Sequence, residues 1–245
     1  MGKSQVGSQN NPKYQTLFDL FRSGLTKTYP KGYDFSPDRI TASQSLHFIG
    51  HGYIKAFTTD NEGNERVLIV YGRGDVFPVL PLVNPNSRDI FYKALTSVKL
   101  HSIASNLALD GIFNNLALSN AMIEKLLFQV ISFADLLENL AYMKANERLV
   151  YRLVILGTRF GQKTGDQIRL DKLFTHNLIG STINLTRETV SREFERLMHK
   201  GLVDSIDHEI VINDINKLHE ELGNPISQYL WRLLEAKTDS NKFSR

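Results

Sequence analysis

The sequence predicts an α+β protein with a β-rich N-terminal half, one long helix and a C-terminal winged helix-turn-helix motif. Three observations support this order. Residues 25–109 hold short runs rich in Val, Ile, Phe, Tyr and Thr between turn residues. Residues 116–145 contain neither Pro nor Gly, and residues 183–203 read as the second half of a helix-turn-helix that runs into the first wing strand. With 245 residues, the chain is long enough for two domains.

Composition excludes several kinds of site. The chain has no Cys, which excludes disulfides, thiolate zinc sites, cysteine-ligated iron–sulfur clusters and a Cys nucleophile. Its formal net charge of +3 permits nucleic-acid binding without requiring it. No apolar run approaches the roughly 18–20 residues of a membrane span, and residues 1–13 carry no secretory signal. We therefore expect a cytoplasmic protein without membrane contact, whose residues 1–13 form a disordered tail.

The N-terminal domain is expected at residues 14–115 and begins with a short helical pattern at Tyr14–Arg22. Turn signals such as Asp60–Gly63 and Gly72–Asp75 separate the strands that follow. Strands are predicted at Ser45–Ile49, Tyr53–Thr58, Arg66–Tyr71 and Tyr92–Ser97. Many short strands at this spacing are typical of an antiparallel barrel, sandwich or roll.

Residues 116–145 are expected to form one long helix with the alternating three- and four-residue apolar spacing of a coiled-coil seam. The predicted seam residues are Ile123, Leu126, Val130, Phe133, Leu137 and Leu140. Leu127, Ile131 and Ala134 widen the stripe, which indicates additional packing on the helix's own domain. A purely internal amphipathic helix is the alternative, but the spacing persists for nearly three heptads and favours a dimer seam.

The C-terminal domain is expected at residues 146–237, with residues 238–245 as a frayed tail. Asn146 is the predicted N-cap of its first helix. The expected elements are a helix at Glu147–Phe160, a loop at Gly161–Asp166, a helix at Leu173–Leu185, wing strands at Leu202–Ile206 and Glu209–Ile212, and helices at Asp214–Leu222 and Ile226–Ala236.

A second helix of the motif is expected at about residues 187–200. Thr186 can cap it, and Val190, Phe194 and Leu197 give it one buried face. Such a helix places its N-terminal part in the DNA major groove.

Arg187, Glu188 and Arg192 lie near the start of this helix, away from its apolar face. Arginine can donate to O6 and N7 of guanine, and glutamate can accept from N4 of cytosine. Hydroxyl side chains suit phosphate oxygens, and they are present at Thr186, Thr189 and Ser191. An ordinary ion pair between Glu188 and Arg192 is the alternative. The preceding helix, the turn and the wing favour base reading.

The segment Leu185–Arg192, with Leu197 and Gly201–Val203, resembles the signature of the Crp/Fnr family of bacterial transcription regulators. Phe48–Gly52, Lys55, Gly63 and Gly74-Asp75 match part of the family's sensor signature. The resemblance implies a β-roll like a cyclic-nucleotide-binding domain, a long dimerisation helix and a winged helix, in that order. It places Arg187, Glu188 and Arg192 at base-reading positions. Phosphate-contacting positions then fall near Thr175, His176 and Asn177, although an Arg is frequent where this chain has His176.

The residues that hold a cyclic nucleotide in binding members of the family are altered here. The Gly-Glu positions read Pro78-Val79, and the Arg-Ser/Thr-Ala positions read Arg88-Asp89-Ile90. Asp89 would repel a phosphate, and Val79 cannot accept a hydrogen bond from ribose. We therefore expect a sensor roll that does not bind cyclic AMP or cyclic GMP. It either binds another small ligand or functions without one.

No cofactor or metal is expected. His47, His51 and His101 lie on different predicted strands and lack metal-ligand spacing. The chain also lacks GxSxG, P-loop and HExxH motifs, so it is not predicted to be an enzyme.

These observations predict a homodimeric, sequence-specific transcription regulator that binds double-stranded DNA at a near-palindromic site. The resemblance leaves open a contact with RNA polymerase and an unidentified small-molecule effector. The alternative is a ligand-binding or protein-interaction module whose winged helix contacts protein instead of DNA.

Overall fold

The computed structural model describes residues 12–35, 45–78 and 90–222. The chain divides into two compact units, Met1–Leu127 and Phe128–Arg245. The predicted tail at residues 1–11, the helix predicted at Ile226–Ala236 and the final tail lie outside the described residues.

The first unit starts with helix α1 and continues as antiparallel strands. Helix α1 spans Pro12–Phe21, and the strands are β1 (Leu25–Tyr29), β2 (Ser45–His51), β3 (Ile54–Thr59), β4 (Glu65–Tyr71), β5 (Val76–Phe77), β6 (Phe91–Ala94) and β7 (Val98–Ala104). Within the described residues they form a sheet ordered β1-β7-β2-β5 and a second sheet ordered β4-β3-β6. This antiparallel architecture confirms the predicted class for the N-terminal half.

Strand β2 is buried on both faces because its side chains alternate between two hydrophobic clusters. Leu46 and Phe48 pack with Leu17 and Phe21 of α1, whereas Ile49 belongs to the cluster between the sheets. Aromatic rings fill much of that second cluster. The ring centroid of Phe77 lies 5.6 Å from that of Tyr92.

The β-rich region ends five residues earlier than predicted. Strand β7 stops at Ala104, and a helix that the sequence did not predict, α2, spans Ser105–Phe113. The long helix α3 then spans Leu116–Tyr142. Its first turn is capped by Asn115, whose side-chain oxygen accepts hydrogen bonds from the backbone N–H groups of Ala117 at 3.0 Å and Leu118 at 3.1 Å.

Much of the apolar stripe of α3 is open to solvent in the single chain. Ile123 is 51% exposed, Val130 61% and Leu137 69%. Leu126 packs partly against the first core cluster, whereas Leu127 is 45% exposed. Phe133 and Leu140 are partly buried.

After the C-terminal part of α3, the described residues of the second unit form four further helices and a four-stranded sheet. They are α4 (Ala145–Phe160), β8 (Gln162–Thr164), β9 (Gln167–Arg169), α5 (His176–Ile183), α6 (Arg187–His199), β10 (Val203–Ile206), β11 (Glu209–Ile212) and α7 (Ile215–Glu220). The sheet is antiparallel with the order β10-β11-β9-β8. The predicted wing is therefore extended by a second hairpin, and the loop predicted at Gly161–Asp166 is wrong because it contains β8.

Two predicted helix starts are also wrong. The N-cap of α4 is Lys144 rather than Asn146, and the backbone N–H of Lys144 donates to Oε2 of Glu147 at 2.8 Å. Helix α5 begins at His176 rather than Leu173, because the Asp171 carboxylate accepts from the backbone N–H of Leu173 at 3.0 Å and holds that residue in a turn.

Candidate nucleic-acid interface

Helices α5 and α6 are joined by a turn of three residues, Asn184–Thr186. Asn184 adopts the left-handed conformation with φ 55°, which ends α5. Gly180 permits the close approach, because a Cβ at this position would lie 2.5 Å from the carbonyl oxygen of Leu185. Thr186 caps α6 by accepting a hydrogen bond from the backbone N–H of Thr189 at 3.2 Å. These contacts produce the helix-turn-helix geometry.

Helix α6 has the two faces that its sequence predicts. Val190, Phe194 and Leu197 are buried. Arg187, Glu188 and Arg192 are exposed. Together with Ser191 and Glu195 they line a shallow depression that is open to solvent. Hydrogen-bond donors and acceptors are thus placed side by side on the outer face of the helix.

The predicted alternative partner of Arg192 is Glu188, but the structure pairs Arg192 with a different residue. Nε of Arg192 lies 3.4 Å from Oε1 of Glu193. Glu188 forms no ion pair within the part of the chain that the structure describes. Its carboxylate is therefore available to an external donor.

Glu193 is a residue that the sequence reasoning missed. It lies on the buried face of α6, and its Oε2 is 2.9 Å from Nη1 of Arg196. The hydrogen bond from Arg196 is the largest of the contributions that lower the pKa of Glu193. A charged residue at a position of the apolar stripe, flanked by arginines one residue before and three residues after, was the available signal.

Some of the residues predicted to contact phosphate are exposed, and some form hydrogen bonds within the protein. Thr175, Asn177 and Thr186 are exposed around the N-termini of α5 and α6. Thr175 caps α5, and the hydroxyl oxygens of Thr186 and Thr189 lie 3.0 Å apart.

His176 and Ser191, two further predicted phosphate contacts, are bonded to each other. Nδ1 of His176 lies 2.9 Å from Oγ of Ser191, and the imidazole packs on Phe194 with centroids 4.8 Å apart. Burial, followed by the positive charge of Arg187, lowers the pKa of His176, while Glu195 opposes this shift. His176 therefore connects α5 to α6 as a neutral ring near neutral pH.

Two arginines of α4 bind the C-terminal end of α5. Arg152 donates to the carbonyl oxygen of Thr182 at 3.0 Å, and Arg148 donates to that of Ile183 at 3.5 Å. A cation at a helix C-terminus satisfies carbonyls that have no partner within the helix. Burial lowers the pKa of Arg152 to about 10, so this side chain stays charged at neutral pH. The helix-turn-helix is thereby fixed to the rest of its unit.

Residues 147–221 match the family model of the Crp-like helix-turn-helix domain. Similarity also extends through the N-terminal half. The chain is 28% identical over 207 residues to the global nitrogen regulator of a Nostoc species, covering 81% of this chain and 93% of that protein. Residues 147–221 therefore form a Crp-like helix-turn-helix domain, and the chain is similar over most of its length to regulators of the Crp/Fnr family.

The chain is also similar to a second named regulator and to proteins of known structure. A CRP-like cAMP-activated global transcriptional regulator of Mycobacterium tuberculosis is 23% identical, over 71% of this chain and 77% of that protein. Among solved structures, FixK2 of Bradyrhizobium japonicum superimposes with a TM-score of 0.68 at 18% identity, covering 80% of this chain and 96% of that one. A CooA variant from Carboxydothermus hydrogenoformans gives a TM-score of 0.68 at 17% identity, covering 91% and 97%. These structures confirm the predicted fold class.

Fewer of the predicted site residues fall within the described part of the N-terminal half. Of the altered nucleotide-binding residues, Pro78 is buried, whereas Val79, Arg88 and Asp89 lie outside the described residues. His47 and His51 share strand β2, so their predicted placement on different strands is wrong.

Across residues 12–35, 45–78 and 90–222, no group of three or more His, Cys, Asp or Glu side chains could hold a metal ion. Over the same ranges, every helix is too short or too polar to cross a membrane.

Proposed function

We propose that this protein is a homodimeric, sequence-specific DNA-binding transcription regulator that inserts α6 into the major groove. The observation that carries the proposal is the exposure of Arg187, Glu188 and Arg192 on one face of a helix whose opposite face is buried in a Crp-like helix-turn-helix domain. Arginine and glutamate are residue types that distinguish base edges in the major groove. The exposed hydroxyl and amide groups of Thr175, Asn177 and Thr186 are suited to the flanking phosphates.

The proposal requires two copies of α6 at a fixed separation. A homodimer paired through α3 would present them to half-sites about 34–36 Å apart, which predicts a near-palindromic site. The roll in this proposal either binds a small molecule other than cyclic AMP or leaves DNA binding independent of a ligand, since Val79 and Asp89 replace the residues suited to ribose and phosphate. Because the target is DNA, we expect the protein in the bacterial cytoplasm. No enzymatic reaction forms part of the proposal.

Selection from random double-stranded DNA tests this function directly. The full-length protein, without added nucleotide, should enrich a near-palindromic sequence. Failure to enrich any sequence would favour a winged helix that contacts protein. Enrichment only after cyclic AMP is added would contradict the proposed role of the roll.

Substitutions in α6 then test the base contacts. Arg187→Ala and Arg192→Ala should each weaken binding to the selected site by about 1–3 kcal/mol and relax preference at one base position. Arg66→Ala is a matched control, because it removes the same charge from an exposed position in strand β4. The assignment fails if both α6 variants retain the affinity and preference of the parent in fluorescence anisotropy titrations.

A further inference from the structure

Glu193 lies between two arginines on the helix proposed to read DNA, and its exposure differs sharply from theirs. Its side chain is 7% exposed, compared with 66% for Arg192 and 71% for Arg196. Its two carboxylate oxygens serve different partners. Oε2 is 2.9 Å from Nη1 of Arg196, and Oε1 is 3.4 Å from Nε of Arg192.

A carboxylate in this position has to be paired to remain charged. Burial of an unpaired charge is costly, and removal of one partner leaves the other uncompensated. Arg196 makes the shorter contact and therefore contributes most to keeping Glu193 ionised. Held in this way on the buried face of α6, Glu193 offers a fixed acceptor to Arg192.

The contact with Arg192 uses the Nε end of the guanidinium. Arginine has five N–H donors in a planar arrangement. When Nε faces Glu193, the edge formed by the two terminal nitrogens remains for the O6 and N7 acceptors of a guanine. A free arginine side chain would lose its rotamer freedom upon binding DNA, at a cost of about 0.5–1.5 kcal/mol. An arginine already oriented by Glu193 avoids part of that loss.

We propose that Glu193 is a positioning residue that orients Arg192 for base reading while Arg196 holds the carboxylate in place. The inference rests on the proposed function, and it adds a residue that need not touch DNA to the determinants of sequence preference. Glu193 acts through Arg192, so its effect should be confined to the base that Arg192 contacts.

Glu193→Gln tests this role because it keeps the size of the side chain and removes its charge. The measured quantity is the ratio of affinities for the selected site and for a site changed only at the base assigned to Arg192. We expect this ratio to fall by about 2- to 10-fold. Affinity for unrelated DNA should stay level or rise, since the variant carries one negative charge fewer. Glu220→Gln, at an exposed position in α7, makes the same charge change and should keep the ratio of the parent.

A double-mutant cycle separates positioning from a general structural role. In the Arg192→Ala background, Glu193→Gln should cause no further loss of discrimination at that base. An equal loss in both backgrounds, or a loss spread over all base positions, overturns the inference.

A smaller folded fraction lowers binding to every sequence alike and leaves the ratio unchanged. If Glu193→Gln yields no folded protein, Glu193→Asp retains the charge at a shorter reach and should lower the same ratio. If the parent itself prefers no sequence, the proposed function fails and this inference fails with it.

Discussion

Arg187 and Arg192 carry the same charge at the start of α6, but their surroundings differ. Arg192 is paired with Glu193, whereas Arg187 forms no ion pair among the residues that the structure describes. Arg187 instead acts on His176 through its charge, which adds to the effect of burial in lowering the pKa of that imidazole. In the proposed complex, Arg192 would be oriented before it meets DNA, whereas Arg187 would adjust its conformation on binding.

His47 makes the first unit sensitive to acid. Its Nδ1 lies 2.7 Å from Oγ of Ser102, and its buried Nε2 has no partner among the described residues. Burial lowers the pKa of His47 from 6.5 to about 4. Between these values the unfolded chain binds a proton that the folded protein does not. The contribution to stability is therefore complete above pH 6.5 and decreases as the pH falls toward 4.

We expect this single group to reduce the free energy of unfolding by about 2 kcal/mol between pH 7.5 and pH 5. His47→Gln should remove most of that pH dependence, measured by urea unfolding at the two pH values. His51→Gln provides the control, since His51 is exposed on the same strand. If the His47 variant is as sensitive to pH as the parent, the acid sensitivity originates elsewhere.

Elements with strong periodicity were predictable from the sequence, whereas weakly patterned elements were not. The apolar positions Val190, Phe194 and Leu197 indicated both the existence and the buried face of α6. Strand β8 was missed because all three of its residues are exposed, which leaves no alternation to detect. Leu173 and Phe174 fit the apolar pattern of the next helix, but the hydrogen bond that the Asp171 carboxylate accepts from the backbone N–H of Leu173 overrides that pattern.

Contacts between side chains were still less predictable. Glu193 interrupts an apolar stripe, but its pairing with Arg192 and Arg196 depends on which rotamers the packed helix allows. Arg152 is distant in sequence from the Thr182 carbonyl to which it donates, so no local spacing indicates the bond. The sequence could assign residues to the buried or exposed face of a helix. Their side-chain partners became identifiable only in the packed structure.

Helices α5 and α6 approach each other closely at Gly180. At Gly180, an added Cβ would lie 2.5 Å from the backbone oxygen of Leu185 and 3.4 Å from Cγ2 of Val190. A backbone carbonyl in the turn cannot move aside without shifting α6. Gly180→Ala should therefore destabilise the motif by about 1–3 kcal/mol despite the better helix propensity of Ala. Hydrogen exchange should show faster exchange of amides throughout α5 and α6.

Gly111→Ala is the matched control for this substitution. Gly111 also lies within a helix, but its added Cβ would meet the flexible end of Leu20, with Cδ1 at 2.7 Å. A small rotation of that side chain relieves the contact, so α2 should be unchanged or stabilised by up to about 1 kcal/mol. Equal protection in the parent and in Gly180→Ala would show that the turn accommodates a methyl group.

The proposed dimer requires an apolar face on α3 that a second copy can cover. The open positions Ile123, Leu127, Val130 and Leu137 are spaced by four, three and seven residues. Exposed Ala134 and Ala141 extend the same 4-3 alternation. Such a face lowers its free energy when a second copy covers it, as in a coiled coil. The predicted seam would then include Leu127 beside Val130 and Leu137, with Leu126 turned toward its own unit.

Val130→Asp is expected to separate the two copies, because Val130 is 61% exposed in the single chain and would be covered in the dimer. Sedimentation should show a monomer, since an unpaired carboxylate would otherwise be buried in the seam. A monomer engages one half-site at a time and loses the high effective concentration that links two binding events. Affinity for the full palindromic site should therefore fall by roughly 100-fold or more, whereas affinity for an isolated half-site should be nearly unchanged.

Asn120→Asp introduces the same side chain at an exposed position of α3 and should leave both measurements as in the parent. A dimeric Val130→Asp protein would place the seam elsewhere. A monomer that still binds the full site as tightly as the parent would contradict reading by two paired α6 helices.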